Sequence, residues 1–235
     1  MQELYATVAA AQRYAEILTQ ARSAGVPVRL ATDEVFSAFS DTVTAQGLLA
    51  VCRAVNVPLS QALDGGPRLV AVLAAVRDPG NAGTVLRAAD AAGAEAVVLT
   101  DASVEVHNPK CVRASAGSLF HVPVSTGTAL PAVVEGLRAA GLRVYAADGH
   151  GDVDLDDLAD RAAQGEPGGL AGPLAWVFGN EAWGLPDDAL ALADAVVRVP
   201  VHGRAESLNL ATAATVCLYA AARAQRRGTG CRTGS

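Results

Sequence analysis

Apolar and polar positions divide the chain into two stretches with different rhythms. From residue 69 onward, short runs that are apolar on both faces alternate with stretches of helical period. Residues 69–76, 96–99, 143–147, 174–178 and 195–199 are expected strands, and 82–92, 109–116, 129–140, 186–193 and 208–226 expected helices. Strands without a polar face need cover on both sides, so this pattern predicts an α/β domain on a parallel sheet. Upstream, a helix over 9–24 ends at Gly25, a strand spans 26–30, a helix 33–39, and a second buried run falls within 47–54. These make a small α/β unit over residues 1–56, with too few elements for an independent core, so it reads as incomplete or supported from outside. Residues 57–67 carry Pro, Ser and Gly without sustained periodicity and read as a linker. The main domain is expected over 68–227 and a polar, frayed tail over 228–235.

Composition narrows the class. With 51% hydrophobic residues in 235, disorder and low-complexity assemblies are excluded. The formal charge of −6 argues against a strongly basic nucleic-acid coat protein, although a local basic cleft remains compatible with it. Cys52, Cys111, Cys217 and Cys231 form no CxxC pair, so neither a disulfide framework nor a zinc site is expected. Glu3, Arg13 and Glu16 interrupt the N-terminus, and no apolar stretch is long enough to span a bilayer. A cytoplasmic protein with no membrane partner is the resulting expectation. Lys110 is the single lysine against seventeen arginines, a coding bias that makes arginine abundance poor grounds for function.

In open α/β sheets, ligands bind beyond the carboxyl ends of strands. Three loops there concentrate Gly, Asn, Ser or charge. The first, residues 77–83 (RDPGNAG), enters a helix carrying Arg87, with Asn81 as its expected cap. Alone it reads as a tight turn with a surface arginine. The second, residues 178–186 (FGNEAWGLP), puts Gly179 directly after a strand, then Asn180 and Glu181. Alone it is an ordinary turn with a solvated glutamate. The third, residues 198–210, brings His202, Arg204, Ser207 and Asn209 to a helix start, with Ser207 as the expected N-cap. GxGxxG, Walker A, GxSxG and HExxH motifs do not occur.

Taken together, RDPGNAGTVLRAADAAG, VFGNEAWGLP and VRVPVHGRAESLNLATAA resemble the three motifs of the SpoU (TrmH) family of RNA ribose 2′-O-methyltransferases, in the SPOUT class. Each is weak alone; three in order are specific. The resemblance covers roughly residues 68–227, and residues 1–56 resemble the family's ribosomal-protein-like substrate-binding domain, which normally opens with a further strand and helix that this chain lacks before Met1. Ala182 stands where a glycine is usual and Val201 where a methionine is common.

The resemblance implies a C-terminal trefoil knot, an exception to the rule against threaded chains. It implies S-adenosylmethionine bent in the knotted crevice, held mostly by backbone, with Gly179, Val199 and Leu208 in contact and Ala147 at the preceding strand end. A Cβ at Gly179 is expected to fill space that the adenosine needs. It further implies Arg87 as the group acting on the ribose hydroxyl, ordered by Asn81, Glu181, Ser207 and Asn209. RNA is the implied partner, rRNA favoured over tRNA. A homodimer is implied as well, and the small side chains over 208–226 are expected to admit a second copy closely.

Arg77, Arg87, Lys110, Arg113, Arg198, Arg204 and His107 lie in or beside these loops and offer local positive charge. Acidic residues concentrate over 148–160, where the five aspartates from Asp152 to Asp160 are expected to form a solvated loop rather than a metal site. Two other classes remain open at this point. One is a nucleotide-dependent enzyme on an ordinary doubly wound sheet, disfavoured by the missing phosphate fingerprint. The other is a non-catalytic RNA-binding protein of the same fold, which would not need Asn81, Arg87, Glu181, Ser207 and Asn209 together.

Overall fold

The computed structural model of the protein describes residues 1–39, 46–166 and 169–230, which form two compact units, 1–54 and 55–235. The first unit contains β1 (Glu3–Ala6), α1 (Val8–Arg13), α2 (Ala15–Ser23), β2 (Val28–Leu30), α3 (Asp33–Phe39) and β3 (Leu48–Val51). β1 is central, parallel to β2 and antiparallel to β3. β1, Glu3–Ala6, is a strand that the pattern of apolar positions does not predict. The expected helix over 9–24 is two helices, the first capped by the Thr7 hydroxyl accepting from the Ala10 amide at 3.1 Å. Leu4, Ala6, Leu18 and Ala21 form a small core of their own.

The second unit continues with α4 (Leu59–Ala62), β4 (Leu69–Leu73), α5 (Pro79–Ala92), β5 (Ala96–Thr100), α6 (Pro109–Ala114), β6 (Val124–Thr128), α7 (Leu130–Ala139) and β7 (Arg143–Ala147). After these come β8 (Val153–Asp154), α8 (Leu155–Gln164), β9 (Leu174–Phe178), α9 (Asp187–Leu190), β10 (Ala195–Arg198) and α10 (Leu210–Gly230). Within residues 57–67, α4 forms and buries Ala62 and Leu63 in the core. The seven strands are ordered β6-β5-β4-β9-β7-β10-β8, and every pair is parallel. Alternate residues of β4 explain its unbroken apolar run. Leu69, Ala71 and Leu73 face the core under α5 and α10, whereas Val70 and Val72 face the core under α7. Both faces are covered, as the lack of polar alternation requires.

The aspartate-rich stretch is structured: Asp152 precedes β8, and Asp154 caps α8 by accepting from the Asp156 amide at 2.9 Å. Leu155 and Leu158 supply that helix's buried face. α10 also differs from expectation. Its small residues Ala211, Ala214, Ala221 and Ala222 pack inside their own unit with Cys217 and Leu218, so they are not free to admit a second copy. Val216 and Tyr219 remain on its exposed side. Residues 228–230 of the expected tail continue α10, and 231–235, with Cys231, lie outside the described residues. Among the described cysteines none is in a disulfide, and burial pushes the Cys111 and Cys217 thiols up to about 11 and about 12. No described helix is long and apolar enough to cross a membrane.

Register places the functional rim. Leu73 is level with Leu99 and Phe178, Phe178 with Ala147, and Ala147 with Val197, so β5, β4, β9, β7 and β10 end in one row. Strand order reverses between β4 and β9, the topological switch point at which α/β sheets open a crevice.

Candidate active site

The loop after β9 is a closed turn. Asn180 and Gly184 exchange backbone hydrogen bonds at 3.0 and 2.9 Å, with Gly184 at φ +66°. Asn180 is only 6% exposed, and its side chain accepts from the Ala182 amide at 2.9 Å and donates to the Ala75 carbonyl at 2.7 Å. Ala75, after β4, has φ +56°, a strained value for a residue with a Cβ. It is held there from both ends, since its amide donates to the Thr100 hydroxyl at 3.1 Å. Asn180 lines the crevice, and its side chain also locks the turns after β4 and β9 together.

A chain of side-chain hydrogen bonds joins all three loops. Asn209 Nδ2 donates to Asn81 Oδ1 at 3.1 Å, and Asn81 Nδ2 donates to Glu181 Oε1 at 3.1 Å. The Glu181 carboxylate also accepts from the Arg77 and Asp78 amides at 3.5 and 3.4 Å. Three of the expected residues are thus brought together, with two caps exchanged. Asp78, not Asn81, caps α5, accepting from the Gly80 and Asn81 backbone amides, which leaves the Asn81 side chain for this chain of bonds. Asn209, not Ser207, caps α10, accepting from the Ala211 and Thr212 amides at 2.9 and 3.4 Å. Ser207 is exposed and makes no hydrogen bond among the described residues.

Asn209 therefore has two separable roles. Asn209→Ala is expected to lose a cap, about 1 kcal/mol or 2–4 °C in Tm for a chain of this size. Asn209→Asp keeps the capping oxygen but loses the Nδ2 donor and sets a carboxylate against Asn81 Oδ1. It should melt with wild type yet turn over roughly tenfold more slowly. Thermal scans and turnover on both variants separate the two roles.

Beside this chain lies a crevice of about 540 Å³ at the ends of β7, β9 and β10. Ala147, Gly179, Val199 and Leu208 all line it, with Asp148, Glu181, Glu206 and Ser207. The reason for glycine at 179 differs from the expected one. A Cβ there would lie 2.5 Å from the Gly184 carbonyl carbon and oxygen and 2.7 Å from the Leu185 amide, so it collides with the closed turn itself.

Arg87 lies on the exposed side of α5, apart from the Asn209–Asn81–Glu181 chain, with no hydrogen bond or ion pair among the described residues. Arg113 and Arg204 are likewise unpaired. Other cations are engaged: Lys110 with Asp78 at 3.2 Å, Arg198 with Asp154 at 3.1 Å, and His107 with Glu105 at 3.0 Å. The Lys110 hydrogen bond holds the Asp78 carboxyl below the usual carboxylate range, keeping the cap charged. Among the described residues, no group of three or more His, Cys, Asp or Glu is placed to hold a metal ion.

Comparison with known proteins adds the following. Residues 68–219 match the model of the SpoU rRNA Methylase family, and residues 1–58 that of RNA 2′-O ribose methyltransferase substrate binding. The chain is 35% identical over 195 residues to the 23S rRNA (guanosine(2553)-2′-O)-methyltransferase RlmP of Bacillus subtilis, covering 83% of this chain and 72% of that one. Among solved structures, it is similar to the AdoMet-bound rRNA methyltransferase of Sinorhizobium meliloti, with TM-score 0.77, 29% identity and 94% and 79% of the two chains covered. The SpoU methyltransferase AviRb of Streptomyces viridochromogenes, in complex with AdoMet, matches with TM-score 0.76, 28% identity and 96% and 83% coverage.

Proposed function

Since the chain belongs to the SpoU rRNA methylase family, we propose that it transfers a methyl group from S-adenosylmethionine to a ribose 2′-hydroxyl of 23S ribosomal RNA. One observation carries the reading. The residues assigned to the cofactor from the resemblance share one crevice, and three of the five assigned to chemistry, Asn81, Glu181 and Asn209, form a bonded chain at its edge, with Arg87 and Ser207 outside that chain.

The crevice suits this cofactor. Its size falls in the range of small-molecule sites. Gly179 adds no side chain to it, and Asp148, Glu181 and Glu206 bring negative charge to a ligand that carries a sulfonium and an ammonium group. Ala147, Gly179, Val199 and Leu208 would hold it. When bound, it supplies an electrophilic methyl carbon for in-line displacement. The protein's own task is to align the ribose hydroxyl with that carbon and let its proton leave.

Arg87 is the residue for the hydroxyl side. An arginine side chain stays protonated, so it cannot serve as the base. Its guanidinium binds the phosphate beside the target ribose and polarises the 2′-hydroxyl, while the proton departs to phosphate oxygen or water. Asn81, Glu181 and Asn209 act as positioning residues, because their hydrogen bonds fix the start of α5 that carries Arg87 against the loops around the cofactor. Ser207, exposed at the crevice, is available to the substrate.

The trefoil knot, a cytoplasmic location and a homodimer belong to the same proposal. For the dimer, Val216 and Tyr219 on α10 are exposed apolar groups suited to an isologous contact. Light scattering after size exclusion should give a mass near twice 23.8 kDa across a range of concentrations. An active monomer would refute it. The reaction itself is tested with methyl-tritiated S-adenosylmethionine and unmodified 23S rRNA transcript, with tRNA in parallel. Label is expected in 23S rRNA; none there overturns the reading.

A further inference from the structure

The chain has two tryptophans, used in opposite ways. Trp176 is fully buried between Tyr145 and Phe178 in the core. Trp183 is 56% exposed at the tip of the closed turn between Asn180 and Gly184. An indole is among the largest apolar groups available, and leaving one in water forgoes its burial. This one is also held in place. The turn beneath it is bonded at both ends, and the Arg77 guanidinium lies 5.3 Å from the ring centroid as a cation–π partner. Glu181 and Gly184, on either side of it in the turn, line the cofactor crevice, while Trp183 does not. Its partner Arg77 is instead in the loop that leads to Asn81 and Arg87. The ring thus belongs to the side of the site where the substrate is expected.

We propose that Trp183 is a stacking platform for an unpaired base of the substrate RNA, at or next to the nucleotide whose 2′-hydroxyl is methylated. The inference rests on the proposed RNA methyl transfer. Arg87, Arg113 and Arg204 have no side-chain partner among the described residues and are available to phosphates, while the chain as a whole carries −6. Phosphate contacts position an RNA without fixing a base; a stacked base adds affinity that does not depend on charge. Proteins that read unpaired RNA use aromatic faces in this way, and guanidinium planes also stack on bases. A base stacked on Trp183 supplies binding energy common to the ground and transition states, so its loss raises KM rather than lowering kcat.

Two arms test the proposal. Trp183 is the exposed fluorophore, so its emission in the intact protein should be quenched by acrylamide. A mixed-sequence single-stranded oligoribonucleotide of twelve nucleotides should quench it further and shield it from acrylamide; an abasic chain of the same length should not. A ring already inaccessible to acrylamide in the free protein, as when a second copy covers it, overturns the proposal. So does equal quenching by the abasic chain. In turnover on 23S rRNA transcript, Trp183→Ala and Trp183→Leu should raise KM roughly tenfold with little change in kcat or in affinity for S-adenosylmethionine, and Trp183→Phe should restore KM. Unchanged KM in Trp183→Ala overturns it. If the wild type methylates no RNA, the function reading falls, and the fluorescence arm still decides the stacking.

Discussion

Arg87→Ala is expected to slow methyl transfer roughly 10³-fold while S-adenosylmethionine affinity stays within about twofold of wild type. The split follows from where the side chain lies. Arg87 does not line the crevice, so its removal leaves the cofactor's surroundings intact. It has no carboxylate or carbonyl partner among the described residues, so its charge is available to the RNA phosphate and the ribose hydroxyl. Stability should hardly change, because an exposed helix position loses little on becoming alanine. Arg87→Lys keeps the charge but not the planar fork, and is expected to recover only a minor part of the rate. Calorimetric titration with the cofactor and turnover on the same preparations check both halves. Turnover of Arg87→Ala within about tenfold of wild type would remove Arg87 from the mechanism.

Gly179→Val should fail differently, by losing the cofactor site together with stability. The new side chain meets backbone, the Gly184 carbonyl at 2.5 Å and the Leu185 amide, and neither can swing aside as a flexible side chain would. Relief requires opening the Asn180–Gly184 turn, which also clamps Ala75 through the Asn180 side chain. Both sides of the switch point then loosen at once. A cost of about 2–3 kcal/mol, or roughly 5–10 °C in Tm, is expected, with cofactor binding lost even below the melting range. Gly179→Ala meets the same atoms and should show a smaller version of both effects. A Gly179→Ala protein with wild-type Tm and affinity would contradict the account of the turn.

The contrast between the two variants bears on what the sequence makes legible. β4 and β9 stand out because every residue from Leu69 to Leu73 and from Leu174 to Phe178 is buried. β1 is only four residues long, with Glu3 and Tyr5 half-buried, and β6 reads VSTGT, so neither carries an apolar run. α8 did have a signal, in Leu155, Leu158, Ala159 and Ala162 at helical spacing, but the density of aspartate around it looks like a solvated loop. The three loops of the site are readable because Gly, Asn and charge follow apolar strands. Their internal bonding is not. In Ser207-Leu208-Asn209-Leu210 two residues can cap, and the choice depends on which leucine the fold turns inward. Leu208 is the exposed one, so the helix starts at Leu210 and Asn209 caps it. The collision that requires Gly179 involves atoms five and six residues later, brought back by a turn that periodicity does not describe. Trp183 sits inside a recognisable motif that gives it no role; only its exposure and the Arg77 contact mark it.

The chemical position of the transferred methyl group tests the central claim most directly. 23S rRNA transcript labelled by the wild-type protein from methyl-tritiated S-adenosylmethionine is hydrolysed to completion in alkali. Cleavage needs a free 2′-hydroxyl to attack the neighbouring phosphate, so a ribose methylated there leaves its phosphodiester intact. The label should be recovered in dinucleotides. Label in mononucleotides would place the methyl group on a base and contradict the assignment of Arg87 and its crevice to ribose chemistry.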